Sequence, residues 1–427
     1  MAGQCSSSSL EFFSETPSQN DIINGRFQKI APETGITGDT NQVDFTVSGE
    51  NEVIDLNNTF IQTTLRLVTG AGAAIAGGLE ACPINYLGAT FWQQIKLTMG
   101  NDWVTTVSDQ PYRAMMETLS SMGEGPMKTW LQAGGWHKDT AGKHDVIGDD
   151  NEGFKKRKAM AAGSNHIKLF SRIHCDVFNQ DKYLIPGVPL KLSMTRHSND
   201  FCIMAAADDA DVKLEIVDVN LFVNKLELIG SKLIETKTQL QSHDAKYNYS
   251  AIQLFTKIEA RGPLSTTVFP RFSTDDVPSR ILIGMVSNEA FNGKKTKNPF
   301  NFQPFNIKSI NVTVDGKSIH ATTQDFNPVK KDYDVAYWGL QHATGYRYKN
   351  DGLSISKDEY ADGNFLMAYD LSPTQCDGSY KDPIKSGKLA IDLKFSVAIP
   401  HTINIIVVAD FERLLTINKF GKVVINI

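Results

Sequence analysis

The residues of this chain that could do chemistry are few, and each fails on spacing or context. Gly70-Ala71-Gly72 opens like a dinucleotide-binding turn, but Ile75 holds the position of the third glycine and no helix pattern follows. Gly316-Lys317-Ser318 ends like a phosphate-binding loop, yet Asn311 stands where the first glycine belongs, and Asp315-Gly316 reads as a hairpin turn. His174 and Cys175 are neighbours in a strand-like pattern, so their side chains point to opposite faces and cannot act as a pair. Cys175 shares the face of Ile173 and Val177, the setting of a buried structural thiol. Asp208, Asp209 and Asp211 offer oxygen ligands without the spacing of a calcium loop, and read as a solvated turn. Lys155-Lys156-Arg157-Lys158 is the sharpest charge cluster. It suits a phosphate-facing patch or an import signal, or else an exposed loop that folding does not need. No catalytic residue, cofactor or metal ligand is expected.

Composition narrows the classes further. A formal net charge of −5 argues against a dedicated, sequence-specific nucleic-acid binder. The five cysteines (Cys5, Cys82, Cys175, Cys202 and Cys376) are scattered, with no metal-knuckle or redox spacing, and the start lacks a secretory pattern. Synthesis in a reducing cytosol is the expectation. The weakly polar run Leu67 to Leu79 is rich in glycine and spans about half a bilayer, so it is not a membrane helix.

The elements that would carry any site are strands. Leu389, Ile391, Leu393, Phe395 and Val397 alternate with Ala390, Asp392, Lys394 and Ser396, a period of two with one buried face. Ile403 to Phe411 is apolar on both faces. The same grammar reaches back to Val43. In the run from Val212 the apolar frame shifts by one at Ile216-Val217, which predicts a β-bulge. One helix is expected at Pro111 to Met122, capped by Ser108 or Asp109, with Tyr112, Met115, Met116, Leu119 and Met122 on one side as core. With 427 residues, two domains of about 200 residues each are expected. The boundary falls at a short helix or linker over 231–240, capped by Ser231. The chain thus divides into an N-terminal arm (1–20), a first sandwich (21–230) and a second (231–427).

Two stretches, Gly123 to Gly163 and His320 to Asp362, are long, polar and without period, and read as irregular excursions. They carry Trp130, Trp136 and Trp338, candidate interface aromatics. In a competing reading, the second excursion is a glycan- or receptor-binding site on a two-domain sandwich, with Tyr337, Trp338, Tyr346 and Tyr348 as stacking platforms.

Three segments are more specific than periodicity. FNQDKYLIPG (178–187) leads into Leu190-Lys191-Leu192 and ends at Asn199 to Met204. RILIGMV (280–286) leads through NEAFNGKKTKNPFNFQPFNI (288–307) to the Val314-Asp315-Gly316 hairpin. Gly363-Asn364-Phe365 precedes Ala368 to Pro373. In this order, from about Ser18 to Leu415, the chain resembles the major capsid protein of Polinton (Maverick) elements and adintoviruses. The resemblance implies an all-β double jelly roll: two eight-stranded antiparallel sandwiches in tandem, with few short helices. It implies homotrimeric capsomers of hexagonal outline in an icosahedral virion, with neighbouring capsomers and a penton protein as partners. Synthesis in the host cytosol is implied, and nuclear assembly is compatible with it. The resemblance brings no catalytic residues. Asn179, Asp181 and Gly187 would shape a strand connection, and Phe300, Phe302 and Phe305 would supply aromatic bulk.

Overall fold

The structure is a computed structural model that describes residues 18–76, 78–319, 323–374 and 382–426. Residues 1–17 of the expected arm, and with them Cys5, lie outside the described residues, as does Cys376.

Among the described residues, sixteen strands build two sandwiches. The first holds β1 (Ile22–Ile30), β2 (Gln42–Val47), β3 (Glu52–Thr69), β4 (Trp92–Met99), β5 (Asp102–Val107), β6 (Ile167–Arg172), β7 (Leu190–Arg196) and β8 (Val212–Leu228). They pair as β1-β8-β3-β6 and β2-β7-β4-β5. The second holds β9 (Ala245–Glu259), β10 (Ser265–Val268), β11 (Arg280–Ser287), β12 (Ile307–Val314), β13 (Lys317–Ser318), β14 (Leu366–Asp370), β15 (Leu389–Phe395) and β16 (Ile403–Ile417). They pair as β9-β16-β11-β14 and β10-β15-β12-β13. The second order is the first with eight added to every strand. Each sandwich is a jelly roll, and the fold is an all-β double jelly roll. Small additions decorate it: Gln324–Asp325 on β12, Val423–Asn426 on β16, and a ribbon of Ala81–Pro83 with Ile203–Ala205.

The strands form where the period of two predicts. Leu389, Ile391, Leu393 and Phe395 are buried along β15, whereas Val397 lies beyond the strand and is exposed. β16 is buried on both faces through Phe411, because one face enters the sandwich core and the other is covered by helices. The register between β8 and β3 slips between Ile216 and Asp218, the bulge that the frame shift predicts.

Among the described residues, four helices are longer than a turn or two: α1 (Gln110–Ser121), α2 (Glu152–Ala161), α3 (Gly230–Ser242) and α4 (Asp334–Ala343). Helix α1 occupies the predicted place, with Pro111 in its first turn. Asp109 sits at its N-cap in the left-handed region and makes no side-chain cap bond. Helix α3 lies between β8 and β9; Ile229, not Ser231, is its N-cap, and none of its residues is buried. Both excursions depart from the irregular form expected of them. The first contains Glu124–Lys128, Trp130–Ala133 and α2, and the second contains α4 and Lys357–Tyr360. Local capping explains part of this. The Asn151 side chain accepts from Gly153 N and Phe154 N at the start of α2, and Ser356 with Glu359 forms a capping box.

Candidate functional site

The seam between the two rolls is the most elaborately built part of the molecule. Helix α1 leaves β5 and wedges into it. Tyr112 stacks on Phe291 of the second roll at 4.9 Å between ring centroids and meets Phe300 edge-on at 5.8 Å. The next residue, the fully buried Arg113, forms an ion pair with Asp176 at 2.6 Å and lies 3.6 Å from Glu117. Asp176 also accepts from the backbone N–H of Ile252 on the edge of β9, at 3.1 Å. A carboxylate of one roll thus satisfies an open edge of the other. Burial alone would raise the Glu117 carboxyl, but His174, Arg113 and Arg172 outweigh it and hold it well below the ordinary carboxylate range. Between β5 and β9 runs a cleft of about 420 Å³, lined by Val104, Thr106, Tyr249, Ile252, Leu254 and Arg413 among others.

A second clamp comes from the segment 288–307. Asn298 donates to Asp139 at 3.0 Å, and its own N–H donates to Asp145 at 2.8 Å. Lys295 reaches the carbonyl of Ala210 at 2.8 Å, and Thr296 donates to Asp208 through both N–H and hydroxyl. Asp208 lies in an exposed turn, as its sequence setting predicts, and also staples the two rolls. Aspartate–threonine contacts across some ninety positions leave no periodic trace, so spacing in the sequence does not reveal them.

The basic cluster 155–158 is not the exposed loop expected of it. Its four residues lie on α2 and divide by helical phase. Lys155 and Lys156 face solvent, Lys158 is half-buried and pairs with Glu80, and Arg157 is fully buried. The Arg157 guanidinium donates to the carbonyls of Pro83 and His137, each at 3.0 Å, and to Asp139 at 2.9 Å. Asp139 in turn accepts from Asn298, so Arg157 anchors the clamp between rolls. The signal was available in outline. Phe154, Arg157 and Ala161 recur at helical spacing and are the buried side of α2.

Of the three candidate interface tryptophans, Trp136 belongs to the subunit's interior. It is 3% exposed and packs edge-on against Tyr86 in the first roll's core. Trp130 and Trp338 are exposed, at 47% and 52%. Trp338 lies on α4 with its ring edge-on to Tyr348 at 6.3 Å, and Arg347 lies over the Tyr348 ring. A second apolar surface runs across the outer face of the sheet β1-β8-β3-β6. Phe27, Phe60 and Phe170 lie side by side there, and Phe222 stacks on Phe60 at 5.0 Å and 8°.

The remaining candidates are structural. His174 is buried, with Tyr86 Oη and Glu117 each at 3.2 Å. Burial pushes the thiols of Cys82, Cys175 and Cys202 up to about 12, so none is a nucleophile at neutral pH. Asp315 and Gly316 both take positive φ, as a tight hairpin turn requires. Gly187 turns at φ 85°, and Phe300 and Phe302 are buried. Among the described residues no group of three or more His, Cys, Asp or Glu is placed to hold a metal ion, and no helix is long and apolar enough to cross a membrane.

Comparison with known proteins gives a consistent picture of the fold. No family model matches the chain. An uncharacterized protein of Caenorhabditis elegans, F54H12.2, is 22% identical over 388 residues, covering 87% of this chain and 90% of that one. A chain of the Sputnik virophage superposes with a TM-score of 0.67 at 11% identity, over 98% of this chain and 92% of its own. A chain of the PBCV-1 virus capsid gives 0.62 at 11% identity, over 97% and 99%. The mavirus major capsid protein gives 0.57 at 11% identity, over 98% and 93%. At such identities what is shared is the fold, along essentially the whole length of each chain.

Proposed function

We propose that this chain is a major capsid protein, the structural subunit of an icosahedral virion, and that it works as a homotrimer. The observation that carries the proposal is the exact tandem repeat of strand order, joined by a rigid polar seam, on a full-length backbone shared with viral capsid chains. Two similar lobes in one chain make a two-sixths sector, and three copies about a threefold axis close a hexagonal block. Closed rings of this kind use one surface pair repeated head to tail. Jelly rolls also suit a shell because most of their sheet edges are internal, which limits uncontrolled edge-to-edge growth. The nematode relative favours a gene of the Polinton type, resident in an animal genome, over a free virus.

The division of the chain into two folding units near residues 231–240 belongs to the same proposal, as do contacts with neighbouring capsomers and a penton protein. Co-expression with a candidate penton protein, followed by electron microscopy, tests it. Closed shells paved with hexagonal capsomers are expected. Soluble single copies without shells or capsomers would overturn it.

A further inference from the structure

We propose that the phenylalanine ladder on the first roll is the seat for helix α4 of a second copy of this chain. The inference rests on the homotrimer reading above and assigns its contact surfaces.

The argument uses the internal repeat. Strands of the second roll are those of the first with eight added, so β13 corresponds to β5. Helix α1 follows β5 and α4 follows β13, which makes the two helices equivalent. Within the chain, α1 packs on β4 of its own roll with one side and reaches the second roll with the other. It lies over the outer face of the second roll's sheet β9-β16-β11-β14, where Glu117 and Ser120 face Ile252, Leu282, Ala368 and Val408. Together with α4, which packs on β14, it closes that face: Leu282, Ala368 and Val408 are each no more than 6% exposed.

The equivalent face of the first roll, on β1-β8-β3-β6, is open. It is the face that carries the ladder, and Phe27 and Phe170 are 55% and 38% exposed. The equivalent helix is open as well. Val335 and Trp338, at 51% and 52% exposure, are three residues apart and so share one stripe of α4. Within one chain α4 turns its Ala336, Leu340 and Ala343 side against β14 of its own roll, and the Val335–Trp338 stripe on its other side is left uncovered. Repeating the α1 junction from one copy to the next lays the Val335–Trp338 stripe on the Phe27–Phe60–Phe222–Phe170 row. Both surfaces are apolar and aromatic, the composition of an interface centre. Helix and ladder sit at opposite ends of the repeat, so the contact is head to tail, as a closed ring requires.

The test uses the full chain and light scattering behind a sizing column. Trp338→Asp spoils the helix, and Phe27→Asp with Phe170→Asp spoils the ladder; all three sites are exposed, and circular dichroism checks that each variant folds. Wild type is expected to be trimeric, and each variant monomeric, with assembly weakened on the order of 100-fold. Mixing the two variants should restore dimers, because one intact helix then meets one intact ladder. Trimeric wild type with variants that also remain trimeric would refute the assigned surfaces while leaving the homotrimer standing. Monomeric wild type would refute both.

Discussion

Arg157 and Asp139 form an ion pair at 2.9 Å in which both side chains are almost wholly removed from solvent, and Asp139 passes the contact on to Asn298 of the second roll at 3.0 Å. A charge so placed is held only by its partners. Arg157→Ala would leave the Asp139 carboxylate buried and uncompensated, at a cost of about 3–5 kcal/mol. Lys155→Ala and Lys156→Ala, two and one positions away on the exposed side of α2, should each change stability by no more than about 0.5 kcal/mol. Denaturant unfolding of the three variants checks the contrast. Equal effects would show that the helical phase is misassigned.

The tryptophans separate by the same logic. Trp136→Ala empties a core site against Tyr86 and should cost about 3–5 kcal/mol in the isolated subunit. Trp338→Ala should leave subunit unfolding almost unchanged and appear in association. Thermal melts and sizing runs on both variants distinguish the two roles.

Gly363 reports on the closeness of the rolls. Its φ is +112°, and a Cβ there would lie 2.0 Å from the ring of His144, across the seam. The ring is buried, so it cannot swing out into solvent. Gly363→Ala combines overpacking with backbone strain and should destabilise by about 2–5 kcal/mol. A melting temperature within a degree of wild type would contradict the tight seam.

Acid should loosen the subunit through its buried histidines. Burial beside Phe201 pushes the His197 imidazole down to about 4 from its ordinary 6.5. Burial also lowers His137, His144 and His174. The unfolded chain therefore takes up protons near pH 6.5 that the folded chain refuses until lower pH. Stability is complete above pH 6.5 and falls between there and about pH 4, by at most about 1.4 kcal/mol per pH unit for each histidine. His197→Asn should flatten the profile of melting temperature against pH. An unchanged slope would remove His197 from the account.

Much of this architecture is legible in the residues themselves. The alternation in β15, the doubly apolar β16, the bulge at Ile216 and the place of α1 all follow from local patterns that burial reads directly. The surfaces are less legible, for physical reasons. Lys155-Lys156-Arg157-Lys158 resembles a solvated run because nothing nearby announces that Asp139 and Asn298, 18 and 141 positions from Arg157, will neutralise and satisfy one of its members. Trp136 sits in a stretch without period, and only the tertiary approach of Tyr86 makes it core. The ladder is hidden differently: Phe27, Phe60, Phe170 and Phe222 come from four strands spread over almost 200 residues, and pairing alone aligns them.

The central claim is that this double jelly roll is a capsid building block whose working unit is a trimer. Multi-angle light scattering on the purified wild-type chain, at micromolar concentration and neutral pH, measures this most directly. One species of three times the 47.2 kDa chain mass that persists on dilution is expected. A single species at 47.2 kDa would contradict it.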